Sequence, residues 1–218
     1  DWHIWRTTLD KKTAQITKFR GSAISPTPLP NGREMIISSS KDGDPELYTM
    51  SMDGQIKQRL TKSRGADIAP SMGQDGRTIC FSTERWGNLH VAALNLGNLE
   101  VRRLTRVGTL NDTCSWNPRD NLILFSGMDT DREFDVFAMN DQGNDMERLT
   151  YDASFNEAPH WSPDGKLIVF SSRRALGGGR GSRSQIYVMK ADGTQVGVIA
   201  ELPGDATQPN WSPRLGYE

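Results

Sequence analysis

Short apolar runs closed by serine recur along the chain: Met35-Ile36-Ile37-Ser38, Ile79-Cys80-Phe81-Ser82, Ile123-Leu124-Phe125-Ser126 and Ile168-Val169-Phe170-Ser171. They are continuous rather than alternating and only of strand length, so each predicts a strand buried on both faces. A second run follows each of them: Leu47-Tyr48-Thr49-Met50, Leu89-His90-Val91-Ala92, Val136-Phe137-Ala138-Met139 and Ile186-Tyr187-Val188-Met189. Ahead of them stand segments ending in Leu29, Met72, Trp116, Trp161 and Trp211. Each unit closes on a triplet: Gln15-Ile16-Thr17, Arg59-Leu60-Thr61, Arg103-Leu104-Thr105, Arg148-Leu149-Thr150 and Val198-Ile199-Ala200.

The last residues of these triplets, at 17, 61, 105, 150 and 200, step by 44, 44, 45 and 50. The turn pairs Asn31-Gly32, Asp75-Gly76, Asp120-Asn121 and Asp164-Gly165 step independently by 44, 45 and 44. Two landmarks with one period predict a repeat of four strands, here a to d, and no stretch patterns as an amphipathic helix of ten residues or more. The fold class this implies is all-β, a β-propeller of four-stranded antiparallel blades, in which neighbouring blades cover both faces of each sheet.

The stretch Ala158 to Ser172 (APHWSPDGKLIVFSS), followed by Gln185 to Gly193 (QIYVMKADG), resembles the WD40-like PD40 repeat of TolB-type β-propellers. The resemblance covers essentially the whole chain as repeats, and the fourth unit carries it best; the first two units lack the Trp, and Asp120-Asn121 replaces Asp-Gly in the third. It implies a non-catalytic scaffold in an envelope-associated assembly, an extracytoplasmic, periplasmic location and a protein or peptide partner at the propeller mouth. The matching residues belong to the blade framework, so the resemblance assigns no binding residue.

Four complete blades are expected at 22–63, 64–107, 108–150 and 151–203 within a single domain, 1–218. Residues 1–19 match only strands c and d, and 204–218 match strand a with a stub of b. The two halves are therefore expected to share a composite fifth blade, which would remove an exposed sheet edge. The alternative is a fragment of a six- or seven-bladed propeller.

Composition narrows the function. Lys plus Arg is 26 against 27 Asp plus Glu, a net charge of −1, so no chain-wide field exists to hold nucleic acid. Apolar runs of four or five residues are far too short to insert into a membrane. Cys80 and Cys114 are not in a CxxC spacing, announce no disulfide framework, and are expected to fill core volume as buried thiols. No G-x-S-x-G elbow or βα pattern supports the hydrolase that accompanies such repeats in some peptidases. His3, His90 and His160 are scattered, and the latter two are expected to be hydrogen-bonded structural residues. Other propellers with this repeat resemble sugar-acid lyases that hold a metal with channel histidines; only His160 falls on an innermost strand here, and a sugar-acid lyase-like propeller, or a propeller domain of a larger enzyme, is the alternative function. The glycines at 177–179 lack the phosphate-loop order. No catalytic residue, metal or cofactor is assigned.

In an antiparallel a-b-c-d sheet, the a–b and c–d turns share one rim, and the b–c loops and d–a connections share the other. Between the serine of strand b and the first apolar residue of strand c lie 8, 6, 9 and 14 residues in the four units. The b–c rim therefore varies, and it is the expected working face. It carries the acids Asp42, Asp44 and Glu46, then Arg85 and Trp86, then the alternating acids Asp129, Asp131, Glu133 and Asp135, and finally Arg173, Arg174, Arg180 and Arg183. Alternating carboxylates could converge on Ca²⁺, but Arg132 stands among them and the loop glycine is missing, so a solvated acidic loop is expected. Trp86, in the loop Thr83 to Asn88, is expected to anchor the partner, with Arg85, the four blade-four arginines, Asp129 and Asp131 as its polar contacts.

Overall fold

The turn chemistry closes the a–b hairpins of the first two units in the same way. The computed structural model describes residues 1–128, 133–151, 155–175, 180–200 and 202–212. Asn31 Oδ1 accepts the amides of Arg33 and Glu34, and Asp75 Oδ1 those of Arg77 and Thr78, at 2.8–3.1 Å. Gly32, Gly76 and Gly165 supply the left-handed residue, with φ of 64°, 63° and 70°. The third unit, lacking that glycine, uses Asn117 Oδ1 to hold the amides of Arg119 and Asp120.

These turns join four antiparallel four-stranded sheets. Blade one is β3 (Ala23–Pro28), β4 (Glu34–Ser39), β5 (Glu46–Ser51) and β6 (Ile56–Arg59); blade two is β7 (Asp67–Met72), β8 (Thr78–Thr83), β9 (His90–Asn95) and β10 (Val101–Arg103). Blade three is β11 (Leu110–Trp116), β12 (Leu122–Met128), β13 (Phe134–Asn140) and β14 (Glu147–Arg148). Blade four is β15 (Glu157–Trp161), β16 (Leu167–Arg174), β17 (Arg180–Lys190) and β18 (Gly197–Ala200). Near the N-terminus, β1 (Trp5–Thr7) and β2 (Thr13–Gln15) make a two-stranded sheet. Residues 205–212 form no strand.

Every strand a contains a bulge at a non-glycine residue in the left-handed region: Ser25, Ala69, Thr113 and Ala158, with φ of 49–52°. Gln208, with φ 52°, continues the series in the C-terminal segment. An amide within a residue of the start of each strand a crosses to the chain of the preceding unit: Ala23 to Trp2, Asp67 to Pro45, Asn111 to Leu89 and Asn156 to Phe134, each N–H donating to a carbonyl at 2.7–2.8 Å. Ala206 donates to Ser184 in the same way at 2.8 Å. The core accordingly lies between sheets, in four clusters. One joins the N-terminal half-sheet to blade one, and the others join blades one to two, two to three and three to four.

The cysteines correct the sequence reading. Cys80 on β8 and Cys114 on β11 form a disulfide with Cα atoms 6.2 Å apart, buried in the cluster that joins blades two and three. Their separation of 34 residues matches no local motif; only blade stacking brings the strand b residue beside the next strand a. The b–c segments also differ from expectation. The extra length in blade four goes into the β16–β17 hairpin, which pairs out to Arg174 opposite Arg180, rather than into loop.

Candidate partner-binding site

The closing triplets build the interior end of strand c. Thr17, Thr61, Thr105 and Thr150 are buried, and each Oγ1 accepts an amide from strand c or its approach (Ile4, Leu47, Val91, Val136) at 2.9 Å. Two residues earlier, Arg59, Arg103 and Arg148 each donate Nε–H to the carbonyl of that threonine at 2.8 Å. Their Nη2 groups then reach the residue before the Leu or Val of strand c. In blade one this is the fully buried Glu46, at 3.0 Å. In blade three it is Asp135, which also accepts from Thr150 Oγ1 at 2.6 Å and Asn156 Nδ2 at 3.0 Å. Glu46 and Asp135 were expected on the solvated rim. The structure turns both inward, because a guanidinium meets each of them there, joined by the Ser63 amide at Glu46 and by the Thr150 hydroxyl and the Asn156 side-chain amide at Asp135.

Blade two departs from this pattern. His90 occupies the acid position, and Arg103 Nη2 lies 2.8 Å from its Nε2. An arginine can only donate, so His90 is the neutral tautomer with Nδ1–H facing Thr105 Oγ1 at 3.3 Å. Burial, and then the Arg103 charge, holds the His90 pKa below the ordinary imidazole value. Arg85 is also engaged internally: Nη2 donates to the buried Asp67 carboxylate at 2.7 Å and Nε to Thr83 Oγ1 at 3.0 Å. Burial pushes the Asp67 carboxyl up, opposed by Thr83 and by the Arg85 charge.

Trp86 remains 38 % exposed in the β8–β9 loop. The guanidiniums of Arg103 and Arg85 lie 5.1 and 5.8 Å from the centre of its ring, within cation–π range. The same rim carries an apolar pocket of about 180 Å³ between the β10–β11 connection and the ends of β12 and β13, lined by Val107, Gly108, Phe125, Gly127, Met128 and Met146, among others. It exists because Gly127 stands where the other blades carry Ser39, Thr83 and Ser172: a Cβ at Gly127 would lie 2.8 Å from the Phe137 ring. Neither Arg103 nor this pocket stands out in the bare sequence. Superposing the repeats would have revealed both His90 and Gly127 as departures.

In blade four, Arg173 is exposed with its guanidinium 5.1 Å from the Phe155 ring centre, and Arg174 lies 5.6 Å from that of Tyr187. Arg183 Nη1 donates to the Pro203 carbonyl at 2.7 Å. The arginines thus spread along the β16–β17 hairpin. Asp129 and Asp131 lie outside the described residues, and of Arg180 only the backbone, opposite Arg174, is described.

The strand a bulges wall a central cavity of about 630 Å³, with Trp2, Thr27, Pro70, His160, Gln208 and Asn210 among its lining residues. Of the three histidines only His160 lines it, and burial depresses its pKa to about 4. Among the described residues no three His, Cys, Asp or Glu side chains converge as a metal would require, and no helix is long and apolar enough to cross a membrane.

Radially stacked four-stranded sheets around a central cavity define a β-propeller. Residues 3–215 match the model of the TolB beta propeller domain, and the chain belongs to that family. It superposes on TolB from Acinetobacter baumannii with a TM-score of 0.83 at 26 % identity, over 97 % of this chain and 52 % of that one. The chain thus spans about half the length of that TolB. A putative TolB from Agrobacterium tumefaciens gives 0.79 at 20 % identity, over 89 % and 72 % of the two chains. An oligogalacturonate lyase from Vibrio parahaemolyticus gives 0.65 at 13 %, over 93 % and 60 %, a likeness of fold alone. No curated protein matches the chain in sequence.

Proposed function

We propose that this chain is a non-catalytic interaction propeller that holds a protein or peptide partner on its b–c rim within a larger assembly. The observation that carries the reading is Trp86: a large aromatic left partly open at the rim, braced by two guanidiniums and on the same rim as an apolar pocket. Interfaces concentrate their energy in Trp, Tyr and Arg anchors of this kind. Arg173 and Arg183, on the β16–β17 hairpin, widen the contact, and Asp129 and Asp131 belong to the same proposal. An extracytoplasmic location is part of the reading, supported by family membership and by the Cys80–Cys114 disulfide, a bond that persists in oxidising compartments. So is the composite fifth blade, supported by the left-handed φ of Gln208, which matches the strand a bulge residues, and by Trp2 and Gln208 lining one cavity.

The test is affinity capture from extracytoplasmic extracts of the producing cells, with captured proteins identified by mass spectrometry. Trp86→Ala and the double variant Arg173→Ala/Arg183→Ala should each lose the partner retained by wild type, whereas Arg33→Ala/Arg77→Ala on the a–b rim should retain it. The opposite pattern would assign the working face to the other rim. The lyase-like alternative is served poorly by a cavity in which His160 is the sole histidine.

A further inference from the structure

Among the three arginines of the Arg-Leu-Thr triplets, Arg103 alone meets no acid among the described residues. Arg59 is neutralised by Glu46 and Arg148 by Asp135, both carboxylates buried beneath the guanidinium. At the equivalent place in blade two stands His90, thirteen residues before its arginine exactly as 46 precedes 59 and 135 precedes 148. Because His90 Nε2 accepts from Arg103, the imidazole carries no proton there and no charge, so the guanidinium beside it keeps its full positive charge. Arginine has five N–H groups. Among the described residues Arg103 uses Nε–H on the Thr105 carbonyl and one Nη2–H on His90; the others meet no protein acceptor. The side chain is half-buried, and its guanidinium lies against the exposed Trp86 ring.

Among the described residues no carboxylate pairs with it. Asp67 is paired with Arg85, and Glu84 Oε2 accepts the amide of Ala66 at 2.8 Å. We propose that Arg103 and Trp86 form a subsite for one carboxylate of an acidic peptide, the guanidinium taking the carboxylate and the indole face taking the apolar residue beside it. This rests on the rim reading above and names the chemistry the rim selects. It also moves anion recognition away from the blade-four arginines, to which the sequence pointed.

The experiment uses two probes, acetyl-Leu-Glu-Leu-amide and its isostere acetyl-Leu-Gln-Leu-amide, titrated into the whole chain. The NMR signals of the Arg103 Nε–H and Trp86 indole N–H report binding. The Glu peptide should shift both signals and bind about tenfold more tightly than the Gln peptide, the worth of one charge-assisted hydrogen bond at a half-exposed site. The decisive variant is His90→Glu, which supplies the carboxylate that blade one already has: it should weaken the Glu peptide about tenfold without lowering Tm. Arg103→Gln should do the same, and provides a second route if His90→Glu fails to fold. Equal binding of the two peptides, or undiminished Glu-peptide binding by folded His90→Glu and Arg103→Gln, overturns the subsite. If Trp86→Ala abolishes partner capture while His90→Glu captures normally, the rim reading stands and the carboxylate subsite falls. If neither variant changes capture, the rim reading falls, and the peptide titrations still decide the subsite on their own.

Discussion

The buried end of strand c and the b–c rim above it lie a few residues apart and follow different rules. At the strand end, threonine and arginine recur with the same partners and nearly the same distances in blades one and three, and each arginine meets a buried acid. A charge or hydroxyl removed from water there must find a partner, so the residue types are dictated. At the rim the blades share little: a tryptophan loop in blade two, a glycine-opened pocket in blade three, a long arginine hairpin in blade four. Solvent satisfies polar groups there, and packing imposes no residue type. Repetition therefore marks the scaffold, and departure from it marks the candidate site. His90 is informative because it is a departure inside the scaffold, and its effect emerges at the rim through Arg103.

Substitutions can break this contrast, beginning with the largest effect. Cys80→Ser/Cys114→Ser should cost about 3–4 kcal/mol, the loop-closure entropy released by opening a 34-residue loop, seen as a fall of about 10 °C in Tm by calorimetry. An unchanged Tm would show that blades two and three dock without the bond. Arg148→Ala strands the buried Asp135 carboxylate with only its hydroxyl and amide partners, and should cost about 2–3 kcal/mol in urea unfolding. Arg103→Ala leaves a neutral imidazole instead, and should cost about 1 kcal/mol or less. Equal costs would remove the distinction between the blades.

Acid probes the central cavity. With a folded pKa of about 4 against the ordinary 6.5, His160 favours folding while neutral: its contribution is complete above pH 6.5 and is lost as pH falls toward 4. The loss should be about 2–3 kcal/mol, and His160→Gln should flatten stability across that window. Trp86→Ala should have the smallest effect on folding, leaving Tm within about 1 °C, while costing partner binding about 2 kcal/mol, roughly thirtyfold. A large fall in Tm would return Trp86 to the scaffold.

Much of the fold was legible in the chain because blade contacts repeat in register with the sequence. A run such as Ile79-Cys80-Phe81-Ser82 announces a doubly covered strand, and Asp164-Gly165 announces the turn before one, since both depend on neighbours within a few residues. The period of 44 residues and the identity of the varied rim follow from the same local grammar. Other features depend on what the stacking of blades brings together. Cys80 and Cys114 meet because strand b of one blade lies against strand a of the next. Glu46 and Asp135, acidic and loop-adjacent in sequence, become buried because a guanidinium thirteen residues downstream folds back over them. The charge left on Arg103 is likewise invisible until His90 is seen beneath it. Backbone periodicity is a local property and can be read from the chain; burial, pairing and uncompensated charge are set by residues distant in sequence, and only the tertiary structure decides them.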